Sequence, residues 1–141
     1  MTGRRIVLDA NILIRAVLGR RVRELIEQYG EETTFFAPEL AFNEAARHLP
    51  IIADNRGGDA GVLVGVLDEL RRVVDSVSPD VTEPLEQAAM ARIGSRDPDD
   101  WPIVAAALAL ACPIWTEDRD FFGVGVSTWT TAHVEVYLRG E

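Results

Sequence analysis

The sequence predicts an α/β fold in which one parallel sheet has helices on both faces. Short β-branched or aromatic runs alternate with helical patterns along the whole chain. This strand–helix–strand order is typical of a parallel sheet, because each helix returns the chain to the same edge. The length of 141 residues and the hydrophobic content of 48% suit one domain with one core. We therefore expect a single domain over residues 1–141.

The first half of the chain contains the clearest strand. Residues 4–8 form a β-branched run that ends at Asp9, and Gly19 and Gly30 follow two helical patterns. The elements predicted for this half are strands over residues 4–8 and 33–37 and helices over residues 10–18, 20–29 and 38 to about 49. The last helix is expected to begin at Pro38, since proline is favoured in a first helical turn.

The second half continues the alternation after a glycine-rich loop over residues 55–61, and the residues that flank the loop, 51–52 and 62–74, look helical. The elements predicted here are helices over residues 62–74, 84–93, about 100–111 and 131–138, with strands over residues 73–77, 113–116 and 126–129. We see no internal repeat or domain boundary, and the glycine pair at 57–58 lacks the spacing of a phosphate-binding loop.

Composition limits the classes of function. The net charge is −9 and all 14 basic residues are arginine, so the protein is not an obvious nucleic-acid binder. Arginine is nevertheless better suited than lysine to bind phosphate, because its planar guanidinium group can form two parallel hydrogen bonds. The lone Cys112 cannot form an internal disulfide, which favours a reducing compartment. No apolar run is long enough to cross a bilayer, and we expect a cytoplasmic protein without membrane association.

Acidic residues follow the predicted strands at the points where those strands end. Asp9 closes the first strand, Asp100 opens an alanine-rich helix and Asp118 follows the fourth strand. The carboxyl ends of parallel strands and the helices that follow them share one edge of the sheet. We therefore expect these three side chains to converge there.

Other carboxylates accompany them. Asp97 and Asp99 precede Asp100, Asp120 follows Asp118, and Glu44 lies near the buried side of a helix, where a glutamate needs a partner. Each residue alone has an ordinary interpretation as a helix cap, a turn residue or a solvated charge. Together they favour a shared purpose, because several ionised carboxylates in one cleft need a cation. Oxygen ligands of this kind suit Mg²⁺ or Mn²⁺.

At these residues the chain resembles the PIN-domain ribonucleases, the family that includes the VapC toxins. Four motifs occur in family order and span nearly the whole chain. They are Val7-Leu-Asp-Ala-Asn11, Asn43-Glu-Ala45, Asp100-Trp-Pro-Ile-Val-Ala-Ala-Ala107 and Thr116-Glu-Asp-Arg-Asp-Phe121. The resemblance implies a three-layer α/β/α sandwich around a parallel sheet. It also implies endonucleolytic cleavage of RNA that depends on Mg²⁺ or Mn²⁺.

The resemblance implies roles for individual residues. The catalytic quartet corresponds to Asp9, Glu44, Asp100 and Asp118, and the metal ligands to Asp9, Asp100, Asp118 and Asp120. Asn11 and Thr116 correspond to polar residues that brace the carboxylates. Asp97 is a supporting residue that either extends the metal site or caps the helix.

Substrate and partners are expected from charge and from the resemblance. Arg96 and Arg119 flank two of the acidic motifs, and we expect them to contact RNA phosphates. The resemblance implies a homodimer and a small antitoxin protein that covers the cleft, although a stand-alone role in RNA processing fits equally well. The alternative is a PIN scaffold that binds RNA or protein without cutting. Phosphoryl-receiver chemistry is disfavoured because the chain has no lysine. Haloacid-dehalogenase chemistry is disfavoured because Asn11 replaces the second aspartate that it needs.

Overall fold

The computed structural model describes residues 3–140, and its centre is a five-stranded parallel sheet. The strands lie in the order β3-β2-β1-β4-β5. Their bounds are Arg4–Leu8 (β1), Thr33–Pro38 (β2), Val74–Val77 (β3), Ile114–Trp115 (β4) and Thr128–Trp129 (β5). All four pairings are parallel, including Val7 of β1 with Ile114 of β4. The first strand is therefore central, and strands from both halves of the chain flank it.

Helices cover both faces of this sheet. Their bounds are Ala10–Leu18 (α1), Arg21–Tyr29 (α2), Glu39–Arg56 (α3), Ala60–Leu70 (α4), Pro79–Thr82 (α5), Glu86–Ile93 (α6), Trp101–Leu110 (α7) and Val134–Arg139 (α8). Helix α1 packs against α2, α3 and α4, whereas α7 packs against α5 and α6. The predicted three-layer α/β/α fold is confirmed.

The core lies between the sheet and these helices. Ile6, Val7 and Leu8 of β1 are fully buried, so this strand is covered on both faces, as its unbroken apolar run predicts. Helix α7 buries six consecutive residues from Pro102 to Ala107, and Trp115 of β4 is fully buried beside β1. The core therefore reaches directly up to the edge of the sheet at which Asp9 and Asp100 lie.

Helix α3 is longer than predicted. It continues through Pro50 to Arg56 and ends at Gly57, which has the left-handed φ of 71°. Leu49 and Ala53, on either side of the proline, are buried, so packing of this face outweighs the missing backbone N–H. The glycine predicted as part of a loop is the C-terminal cap of the helix.

Strands β4 and β5 are shorter than predicted, with two residues each. Cys112 is a free, buried cysteine just before β4, and burial raises the pKa of its thiol to about 11. Among residues 3–140, no helix has the length and apolar character needed to cross a membrane.

Candidate metal centre

Asp9 links the end of β1 to the start of α1. Its side chain caps the helix, where Oδ1 accepts a hydrogen bond from Ile12 N at 2.9 Å. Its other oxygen, Oδ2, accepts a short hydrogen bond from Thr116 Oγ1. Asp9 is 6% exposed and Thr116 is fully buried. Two contacts therefore hold this carboxylate in one orientation at the carboxyl edge of the sheet.

Thr116 connects Asp9 to the acidic residues after β4. Its Oγ1 accepts a hydrogen bond from Asp118 N at 2.9 Å while it donates to Asp9. Asp118 Oδ1 in turn accepts from Asp120 N at 2.9 Å and caps a 3-10 turn over Arg119–Phe121. One buried hydroxyl thus fixes the geometry between carboxylates from two neighbouring strands.

A second 3-10 turn, Pro98–Asp100, leads into α7 and presents two more carboxylates. Asp97 caps this turn, with Oδ1 accepting from Asp99 N at 3.1 Å. One carboxylate oxygen each from Asp97, Asp100 and Asp118 lie within 4.8 Å of one another. This spacing allows one small cation to contact all three.

Burial and like charge raise the pKa values of two of these carboxyl groups. Burial raises the pKa of Asp9 to about 6, and the negative charges of Asp118 and Glu44 add to the rise, against the hydrogen bonds from Thr116 and Ile12. Burial and the neighbouring Asp97 raise the pKa of Asp100 to about 8. Within residues 3–140, the ion pairs do not include any of these carboxylates.

These properties fit a hard divalent cation. Three carboxylate oxygens are close enough to share an ion. Burial and neighbouring like charge disfavour the ionised form of Asp100 unless positive charge is added. Carboxylate oxygen is the preferred donor for Mg²⁺ and Mn²⁺. Asp97, Asp100 and Asp118 would hold the ion, with Asp9 beside them.

Glu44 lies on the other wall of a cleft that opens beside the cluster. The cleft has a volume of about 190 Å³, and Glu44 and Arg47 of α3 line it together with Asp99 and Asp100. Glu44 is half-buried and close enough to Asp9 for its charge to affect the pKa of that residue. The structure therefore brings together all four residues of the predicted catalytic quartet, whose catalytic roles remain predictions.

The remaining predicted residues have different surroundings. Asn11 and Arg119 are exposed at the same edge, and Asp120 is half-buried in the turn after Asp118. Arg96 Nη1 donates to the carbonyl oxygens of Asp120 and Phe122, the first at 3.1 Å. Its predicted contact with RNA phosphate is untested, and its guanidinium group is already engaged with the protein.

Two features of the site were missed or undervalued by the sequence analysis. Asp97 was predicted as a supporting residue, yet its oxygen lies within the cluster. The Asp97-Pro98 pair, which favours a turn, was the available signal. Arg92 was not considered, although its Nη1 donates to Val124 O at 2.9 Å in the loop after Asp120. No local pattern indicates that contact, because it joins residues 32 positions apart.

Comparison with solved structures shows the same fold in several proteins. VapBC2 from Rickettsia felis, bound to a DNA fragment from its promoter, is 11% identical, with a TM-score of 0.70 over 89% of this chain and 98% of that chain. PAE2754 from Pyrobaculum aerophilum is 15% identical, with a TM-score of 0.73 over 98% and 91%. VapBC-1 from nontypeable Haemophilus influenzae is 16% identical, with a TM-score of 0.63 over 91% and 98%. At these low sequence identities, the similarity shows a shared fold alone.

Comparison with families is decisive for the classification of the chain. No curated protein matches the sequence. The family model described as the PIN domain matches residues 7–139, which is nearly the whole chain and includes every carboxylate described above. The chain therefore belongs to the PIN domain family, as its motifs predicted.

Proposed function

We propose that this protein is an endoribonuclease that hydrolyses RNA phosphodiesters with the help of Mg²⁺ or Mn²⁺. PIN domains are generally nucleases. The observation that supports the proposal most strongly is the cluster of Asp97, Asp100 and Asp118, whose oxygens lie within 4.8 Å of one another. Asp97 and Asp118 also cap turns, but the convergence of three carboxylates, together with the raised pKa of Asp100, favours a cation between them.

The chain's own residues would prepare the site for this reaction. Thr116 and Ile12 hold Asp9 with its two oxygens in fixed positions. Asp100 and Asp97 come from the turn before α7, and Asp118 comes from the opposite side of the cluster. A divalent cation bound there would supply the positive charge that polarises a phosphodiester and lowers the pKa of water. Glu44, which lines the cleft, would accept a proton from an attacking water.

Partners are also part of the proposal. Proteins of similar structure include VapBC proteins and a toxin–antitoxin complex from Klebsiella pneumoniae. We infer that a small antitoxin protein covers the cleft of this chain and that the chain forms a homodimer. Exposed apolar side chains on α3 and α4, among them Leu40, Ile51 and Val62, support association with another surface. Sedimentation of the purified chain measures the dimer directly.

The deciding experiment is cleavage of a mixed single-stranded RNA pool by purified protein. It is run with Mn²⁺, with Mg²⁺ and with EDTA, beside Asp100→Asn and the control Glu69→Gln. Glu69 of α4 is exposed and pairs with Arg72, and neither residue belongs to the cluster or lines the cleft. We expect cleavage that requires metal, disappears in Asp100→Asn and survives in the control.

Other results would redirect the assignment. If the wild-type protein binds Mn²⁺ but cuts no RNA in the pool, the alternative of a PIN scaffold that binds without cutting is favoured. If it binds no divalent cation, the proposed metal-dependent activity is wrong.

A further inference from the structure

Two arginines outside the acidic cluster of Asp97, Asp100 and Asp118 contact the loop that carries Asp118. Arg92 lies in the last turn of α6, and Arg96 follows four residues later. Arg92 Nη1 donates to Val124 O at 2.9 Å. Arg96 Nη1 donates to Asp120 O at 3.1 Å and to Phe122 O. Three carbonyl groups of residues 120–124 thus accept from two guanidinium groups, and we call residues 118–125 the acidic loop.

The backbone of the acidic loop is shaped around these side chains. Gly123 and Gly125 both have left-handed φ values, 83° and 85°, which residues with a Cβ rarely adopt. A Cβ at Gly125 would collide with Arg92 Nη1, and one at Gly123 would lie 3.6 Å from Arg96 Nη2. The left-handed backbone at both glycines and the close approach of Arg92 to Gly125 therefore fit the loop to these arginines.

The arginines also belong to the segment that carries the other half of the cluster. Arg96 immediately precedes Asp97, and the backbone N–H of each of these two residues donates to Ile93 O at the end of α6. Asp97 and Asp100 lie on this side of the cluster, and Asp118 lies in the acidic loop. Hydrogen bonds from Arg96 to the loop therefore cross between the two segments whose separation sets the spacing of the carboxylates.

We propose that Arg92 and Arg96 are positioning residues of the metal centre, which hold the acidic loop at the distance from Asp97 and Asp100 that a divalent cation requires. The proposal rests on the proposed function. It assigns Arg96 a contact with the protein's own carbonyl groups in place of the expected contact with RNA phosphate. Residues that orient metal ligands commonly change metal affinity by about 10–100-fold when they are replaced.

The first test measures the affinity of Mn²⁺ alone by calorimetry, without RNA. We expect Arg96→Ala to weaken Mn²⁺ binding about tenfold and Arg92→Ala to weaken it less, since Arg92 contacts one carbonyl farther from Asp118. Arg96→Lys should recover only part of the Mn²⁺ affinity, because an ammonium group lacks the planar set of hydrogen-bond donors of a guanidinium group. Arg72→Ala is the control, since Arg72 is exposed and pairs with Glu69.

A second test needs no metal and follows amide hydrogen exchange of residues 118–124 by mass spectrometry. We expect faster amide exchange in Arg96→Ala than in wild type or Arg72→Ala. Two carbonyl groups of the loop lose the hydrogen bonds that Arg96 donates, so the loop opens more readily. Arg72, Arg92 and Arg96 are all exposed, so the variants should fold. Their melting temperatures are measured alongside.

The outcomes separate this inference from the proposed function. Unchanged Mn²⁺ affinity in Arg96→Ala overturns the inference, and a weaker salt dependence of RNA binding in the same variant would restore the phosphate role. If wild type binds no Mn²⁺, the proposed function fails. Amide hydrogen exchange then decides alone. Faster exchange in Arg96→Ala supports the contact between Arg96 and the acidic loop, and an unchanged rate overturns it.

Discussion

Glu135 and the carboxylates of the metal centre have opposite electrostatic surroundings. Glu135 of α8 accepts hydrogen bonds from Arg21 Nη2 at 2.9 Å and from Tyr29 OH at 2.5 Å, and Arg139 lies 3.6 Å away. These contacts lower the pKa of Glu135. At the acidic cluster, burial and neighbouring carboxylates raise the pKa values of Asp9 and Asp100.

The difference lies in where the chain uses its arginines. At Glu135 the guanidinium groups meet the carboxylate itself, whereas at the cluster Arg92 and Arg96 meet backbone carbonyl groups beside it. The first arrangement neutralises a charge within the protein and joins α2 to α8. The second leaves the carboxylates with their charge uncompensated, which favours a cation from solution.

The largest effect on stability is expected from Thr116→Val. Removal of the hydroxyl takes a donor from Asp9 and an acceptor from Asp118 N–H. We expect RNA cleavage to fall by about 10–100-fold and the free energy of unfolding to fall by about 1–3 kcal/mol. Cleavage assays and denaturant unfolding measure the two effects.

The matched control is Thr33→Val at the start of β2. The hydroxyl of this buried threonine has no hydrogen-bond partner among the described residues, so its removal should not reduce stability or cleavage. Equal loss of cleavage in both variants would show that Thr116 acts through general packing.

The next effect is a gain of stability in Asp100→Asn without metal. Half-burial and like charge oppose ionisation of Asp100, so the neutral amide should raise the free energy of unfolding by about 1 kcal/mol after allowance for solvent screening. This corresponds to a rise in melting temperature of about 3 °C. Calorimetry in EDTA measures the shift. A lower melting temperature would mean that the charge of Asp100 is compensated within the protein.

A related effect is the pH dependence of stability without metal. The folded pKa values of Asp9 and Asp100, about 6 and about 8, lie above the ordinary value of 3.8. Their contribution to stability is complete below pH 3.8 and is lost as pH rises through the folded values. We expect the melting temperature in EDTA to fall between about pH 5 and 8 and Mn²⁺ to oppose the fall. A rise over this range would contradict the electrostatic description of the cluster.

The smallest effect is expected from Glu135→Gln. The pKa of Glu135 is lower in the folded protein than its ordinary value of 4.5. Its carboxylate therefore stabilises the fold above pH 4.5, and this stabilisation is lost as pH falls through the pKa of the folded state. Exposed ion pairs contribute little, so the melting temperature at pH 7 should fall by no more than about 2 °C. Cleavage should be unchanged, since Glu135 lies on α8, outside the cluster and the cleft.

The sequence was sufficient for the fold because its strands and helices have local signals. The apolar run before Asp9 and the alanine-rich run after Asp100 predict buried elements, and their order predicts a parallel sheet. The end of α3 differs from the predicted end at about residue 49, because tertiary packing of Leu49 and Ala53 carries the helix through Pro50 to Arg56.

The candidate site was predictable to the same extent as the sheet. Asp9, Asp100 and Asp118 follow elements whose ends meet at one edge, so their convergence follows from topology. The partners of individual side chains were not predictable. Whether Arg96 faces solvent or the carbonyl of Phe122 depends on the path of the acidic loop, which two left-handed glycines determine.

The position of β1 in the middle of the sheet has a consequence for synthesis of the protein. Asp9 emerges from the ribosome early, but its hydrogen-bond partner Thr116 lies 107 residues later in the chain. Strand β4, which places Thr116 and Asp118 beside Asp9, can pair with β1 only after residues 114–115 have been made. A nascent or prematurely terminated chain that lacks this strand therefore lacks a complete cluster. If the protein cuts RNA, its own messenger is protected from that chain until Thr116 and Asp118 have been made.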